Sequence, residues 1–298
     1  MTPGDRLRSA ALARLAAQWA ALGGQLDGPV ETHVVDLEAL LAATARLAPG
    51  EPRLAEVALA WSIRHGSAAN GARLRTVAAE LDAAIPTAAF ATAVRHGGGP
   101  PWPVAASDEL AGPWSAVGPR SGLVVVRDLA APARLVWRLR AGFGVNARAD
   151  ILATLLLAPA PLSIADLAAR TRFGKRAVAG AVADMALAGL ADVDRVGNAD
   201  RVRLADGAPV RVWLPAAAAP AHDEVSRWRC VLAALDLGDR MNSAPGVVRA
   251  VEGRAVVETL RMALHAGGLP MPDITVPGAA FAFEIDGWLA MLAEAVSP

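Results

Sequence analysis

The chain has no tyrosine, one cysteine and one lysine, and its charges cancel. A lone cysteine, Cys230, excludes an internal disulfide and any cysteine-based zinc site, and it fits a reducing compartment. With 29 basic and 29 acidic residues, bulk electrostatics direct the chain toward neither nucleic acid nor a membrane surface. Aromatics are only 4% of 298 residues and alanine about a quarter, so the 54% apolar content rests largely on small side chains. That content, with a mean hydropathy of +0.35, still excludes a disordered chain. A long apolar run is missing too. Ile151 to Leu162 spans about 12 residues, against the roughly 20 that a membrane-crossing helix needs. Arg8 and Arg14 break the apolar stretch at the N-terminus, which leaves no signal-peptide core. The expectation is a soluble, cytoplasmic protein of roughly two domains' length, with no membrane partner.

The patterns that carry catalysis are scarce. Gly142-Phe-Gly-Val-Asn-Ala147 fits G-x-G-x-x-A, but it follows a helical stretch and lacks the βαβ setting that places a pyrophosphate. A helix-to-helix turn accounts for its glycines. Gly174-Lys175-Arg176 lacks both the earlier glycine and the hydroxyl of a phosphate-binding loop. His33, His65, His96, His222 and His265 are scattered, with no i, i+4 pair for a metal, and no G-x-S-x-G turn is present. Asp236 and Asp239 share a helix face with Arg240 nearby and read as solvated; Cys230 sits beside Val231 and Leu232 and reads as packing. The sequence therefore predicts no enzyme, no cofactor and no metal.

Helical periodicity dominates residues 1–145. Leu7, Ala11, Leu15 and Trp19 recur at four-residue steps; Leu37, Leu40 and Leu41 follow Asp36; Leu54, Val57, Ala58 and Trp61 follow Pro52. Asn70 caps a helix that contains Leu74, Val77 and Leu81, and Pro132 to Arg140 reads as helical. Gly122 to Arg127 fits a strand or a helix approach equally. Gly97 to Pro103 is too rich in glycine and proline to be anything but a loop, and it marks Trp102 as a candidate cover for an effector or partner site. From Pro215, a linker to Pro220 precedes helices at about Asp223–Leu237, Val247–His265 and Phe281–Ala295. The expected division is 1–145, 146–214 and 215–298. These regions carry 14 basic and 12 acidic, 9 and 7, and 6 and 10 groups, with the first boundary taken at 146. The acidic end and the basic middle raise the idea of a C-terminal region folded over the middle one.

The middle region is the most informative. Asn146 caps a helix through Ile151, Leu152, Leu155 and Leu156. Ser163 and Asp166 are spaced as a capping box over Ile164, Leu167 and Ala168. A turn at Thr171–Gly174 leads to a helix with Val178, Val182 and Met185 inside, and Gly189 ends it. Two β-prone runs, Val193–Val196 and Arg201–Leu204, flank Gly197-Asn198 as a hairpin. The run from Leu162 to Leu190 resembles bacterial winged-helix transcription regulators of the MarR/ArsR kind: a short I-x-x-L-A helix, a turn, a longer helix closing on Gly189-Leu190, then a wing.

The fold class expected is mainly α, with helical regions on both sides of a winged helix-turn-helix. By that resemblance the recognition helix starts at Lys175 and enters the major groove of double-stranded DNA. Arg172, Lys175 and Arg176 then sit at its entry, and Arg195, Asn198 and Arg201 flank the wing tip. The resemblance also implies a homodimer reading two half-sites, with the flanking helices dimerising it or receiving a signal. Ala179, Gly180 and Ala183 on the outward helix face offer no hydrogen bonds to bases. Asp194 and Asp200 bring carboxylates to the wing. Both features weaken the DNA reading, the carboxylates by repelling phosphate, so a protein-interaction module is the alternative.

Overall fold

The computed structural model describes residues 1–104, 114, 117, 122–213, 222–241 and 244–298. The chain is mainly helical, as expected, with one small antiparallel sheet among the described residues. None of these helices is long and apolar enough to cross a membrane.

Helix α1 (Pro3–Ala21) starts at a capping box between Thr2 and Asp5, and its predicted stripe of Leu7, Ala11, Leu15 and Trp19 is fully buried. That stripe does not face the next helices alone. It packs on α10 (Glu224–Met241) and α12 (Phe281–Val296), at the other end of the chain. The helices α2 (Leu37–Leu47), α3 (Pro52–His65), α4 (Gly71–Glu80), α5 (Ala84–His96) and α11 (Gly246–Ala266) complete the same body, whose apolar core draws on residues between Leu7 and Ala133 and again between Val225 and Val296. The three successive regions expected from sequence thus form two bodies. The chain's two ends build one, and the winged helix is inserted into it. The 215–220 linker lies outside the described residues.

The inserted body begins earlier than expected, at α6 (Leu135–Phe143), whose Leu135 and Leu139 belong to the second core. It continues through α7 (Ala147–Leu157), β1 (Leu162–Ser163), α8 (Ile164–Thr171), α9 (Lys175–Leu187), β2 (Ala191–Val196) and β3 (Ala199–Leu204). The sheet order β1-β3-β2 places Val202 opposite both Leu162 and Val193 and turns it into the core. Gly197 (φ +60°) opens the two-residue β2–β3 loop, a conformation that costs glycine little and matches the strand twist. Three helices followed by this hairpin are the winged helix-turn-helix architecture.

Trp102 belongs to the core. Its indole N–H donates to the Gly66 carbonyl at 3.0 Å, and the ring packs near Phe90. Of the 122–127 run, Leu123 and Val124 are buried and only Val124 bridges, to Gly24, so the segment is neither a strand nor a helix.

Candidate nucleic-acid interface

Helix α8 ends at Arg172, which adopts a left-handed φ of +59°. That conformation turns the side chain back onto the helical body. Its guanidinium donates to Glu80 at 2.9 and 3.1 Å and to Asp223 at 2.7 Å, and only 8% of the side chain is exposed. Arg172 was expected at the DNA entry, and the structure corrects this: both of its carboxylate partners are intramolecular, so it ties the turn to α4 and to the residue before α10. Burial would lower its pKa, but the hydrogen bond to Glu80 and the charge of Asp223 raise it.

Lys175 and Arg176 behave differently. They occupy the first turn of α9, are exposed, and pair with no carboxylate among the described residues. Gly174 caps that turn without a side-chain hydrogen bond, so the first backbone N–H groups of α9 also point outward. Val178, Ala181, Val182 and Met185 face the core, which leaves Ala179, Gly180 and Ala183 exposed on the outer face. No described part of the C-terminal region covers them. Leu187, at the end of the same helix, is 90% exposed.

The wing carries its charges in register. Asp192 faces Arg203, Asp194 faces Arg201, and Arg195 faces Asp200 across the two strands. Arg203 bonds Asp192 at 2.7 Å, Arg195 reaches Asp200 at 3.3 Å, and Arg201 leans toward Asp166 at 3.7 Å. Such cross-strand pairs contribute roughly 0.2–1 kcal/mol each to a sheet. They also account for the wing's carboxylates. Arg195 and Arg201 are therefore charge-compensated within the wing and beside α8, while Asn198 is exposed at the tip. The six expected contact residues do not form one continuous positive face: Lys175 and Arg176 are open, Arg195 and Arg201 are paired, and Arg172 is turned inward.

Sequence reasoning missed the joint between the two bodies. Glu38 on α2 accepts from Arg140 on α6 at 2.6 and 2.9 Å, and from Arg73 on α4. Arg73 also grips Asp36 and donates to the Thr171 carbonyl at 2.8 Å, and Arg140 reaches Asp150 on α7 at 2.7 Å. Burial pushes the Glu38 carboxyl up, but the guanidinium groups of Arg140 and Arg73 hold it below its ordinary value. Asp36 is likewise held low by Arg73 against the effect of burial. The partners lie 10 to 102 residues apart, too far for a local pattern to announce them. Among the described residues no group of His, Cys, Asp or Glu is placed to hold a metal ion. Burial raises the Cys230 thiol to about 12, too high for thiolate chemistry near neutral pH.

No family model matches the chain, and no curated protein or solved structure matches it either.

Proposed function

We propose that the protein is a DNA-binding transcriptional regulator whose winged helix docks through α9, with the helical body dimerising it or conveying a signal. One observation carries the reading: the outer face of α9 from Lys175 to Ala183 is exposed, and its two cations pair with no carboxylate among the described residues. A helix N-terminus with unpaired cations attracts phosphate, and small residues let the helix approach a groove closely. Because Ala179, Gly180 and Ala183 cannot read base edges, sequence preference is narrow and falls to the first turn and the wing tip, where Asn198 is open.

The test is binding of the full chain to a random-sequence duplex pool at two salt concentrations, beside the Lys175→Ala/Arg176→Ala variant. Losing two phosphate contacts per protomer lowers the magnitude of the log–log salt slope by about two. Absence of binding at low salt, or an unchanged slope in the variant, rejects the reading.

A second reading is supported by Leu187 and the charge-compensated wing: α9 docks a partner protein, for which exposed leucine beside small residues suits helix packing. Leu187→Glu separates the two, since it removes a protein contact at the far end of α9 from the phosphate-facing turn.

A further inference from the structure

Between the two bodies lies a cavity of about 210 Å³. Helix α7 supplies Asp150, Ala153, Thr154 and Leu157, the helical body supplies Val34, Asp36 and Arg73, and His222 and Asp223 stand on the C-terminal side. The polar groups there are unequal in kind. Arg73 directs its guanidinium to Asp36, Glu38 and the Thr171 carbonyl. Thr154 donates its hydroxyl proton to the Asp150 carbonyl at 2.8 Å, and Thr171 donates its own to Leu167 at 2.7 Å. Each hydroxyl then has only lone pairs left to offer. Asp150 is the decisive group. Its Oδ1 accepts from Arg140, its Oδ2 has no hydrogen-bond partner, and only 7% of the side chain is exposed.

The charge count agrees with the hydrogen-bond count. Asp36, Glu38 and Asp150 are three carboxylates sharing two guanidinium groups, Arg73 and Arg140. The joint is one cation short, and the unpaired oxygen belongs to Asp150, which lines the cavity beside Asp36. Burial pushes the Asp150 carboxyl up, and the attraction of Arg140 and Arg73 does not offset it. Asp223 and Asp36 do not share the deficit, because Arg172 and Arg73 hold them. Arg170, at the rim, is exposed and makes no bond to Asp150.

We infer that this cavity binds a small organic cation, a primary ammonium on a short apolar body, with the ammonium at Asp150 and Thr154 and the body against Val34, Val136, Ala153 and Leu157. An ammonium has three donors and no acceptor, the complement of this lining. A volume below the several hundred Å³ of drug-sized sites restricts the ligand to about one ring or a short chain. The ligand touches both bodies, so its occupancy stabilises their docked arrangement by mass action. The inference goes beyond the DNA reading and is independent of it, since neither cavity nor assay involves nucleic acid.

The experiment titrates the full chain with benzylammonium, benzyl alcohol and benzoate, by calorimetry and by thermal unfolding. Benzylammonium is expected to bind at one site per chain and to raise Tm. The neutral and anionic probes should bind at least about tenfold more weakly, the factor that one lost charge-assisted contact readily supplies. Asp150→Asn removes the charge at nearly constant shape and abolishes the preference for benzylammonium. Ala153→Leu fills the cavity, leaves the carboxylate in place and abolishes binding of benzylammonium. No binding of benzylammonium to the wild type, equal binding of the three probes, or undiminished binding in either variant overturns the inference. Should Asp150→Asn fail to fold, Ala153→Leu decides alone.

Discussion

Glu38 and Asp150 accept hydrogen bonds from the same guanidinium, that of Arg140, yet their acidities move in opposite directions. Glu38 gains bonds from Arg140, Arg73 and the Asn70 N–H, enough to overcome burial; Asp150 gains one, from Arg140, and burial wins. The linkage signs follow. Stability from Glu38 is present above the ordinary glutamate pKa and is lost as pH falls through its depressed folded value. Asp150 contributes stability below the ordinary aspartate pKa, and that is lost as pH rises through its raised folded value. Near neutral pH, Glu38→Gln therefore replaces the carboxylate that accepts from both buried guanidinium groups with an amide whose N–H donors face them, and costs about 3–5 kcal/mol. Asp150→Asn is neutral or stabilising there, and its difference from wild type shrinks in acid, where Asp150 already carries a proton. Denaturant unfolding at neutral and acid pH measures both. A large destabilisation by Asp150→Asn near neutral pH contradicts the charge count.

At the scale of the element, what the sequence showed was what three or four neighbouring residues decide. Asp36, Asn70, Asn146 and Ser163 each cap the helix that their spacing predicts, because a cap needs only an acceptor two or three residues before a free N–H. Helix α5 escaped the same reading. Its residues from Thr87 to Val94 are buried on every side, so no polar face marks a period, and Pro86 in its first turn resembles a breaker. The pairing register of the wing was equally hidden, since alternating Asp and Arg residues read as solvated until the strands are aligned. Among the caps, Ser163 is the sharpest to test. The Ser163 hydroxyl and N–H hold the Asp166 carboxyl low, and the hydroxyl accepts from the Asp166 N–H at 3.0 Å. Ser163→Ala should cost about 1 kcal/mol and raise the Asp166 pKa toward its ordinary value. A carboxyl titration by NMR reads the second effect, which a loss of packing alone does not produce.

At the scale of the whole molecule, the acidic character of the last region finds its partners in the first. Asp236 pairs with Arg46, Asp239 with Arg8, and Glu224 with Arg14 and Gln18, while among the described residues only Asp223 pairs with the winged helix, at Arg172. Opposite charges do meet, but they join the chain's two ends and leave the outer face of α9 open. Sequence alone could not show this, because the periodic stripe of α1 reveals a buried face but not that α10 and α12 cover it. It also changes what a truncation does. A chain that stops before residue 215 loses α10, α11 and α12, and with them two helices that pack on α1 and the share of the common core that runs from Val225 to Val296. Exposing one large apolar side chain costs roughly 1.5–3 kcal/mol, so exposing several is comparable to the 5–15 kcal/mol that holds a typical domain together. The inserted body keeps its own core from Leu135 to Val210. Calorimetry of the truncated chain should accordingly show the winged helix melting as a separate, smaller transition while the helical body no longer unfolds cooperatively. Had the last region been an appended lobe resting on the recognition helix, the same cut would leave residues 1–133 with their full transition and change only the affinity for DNA.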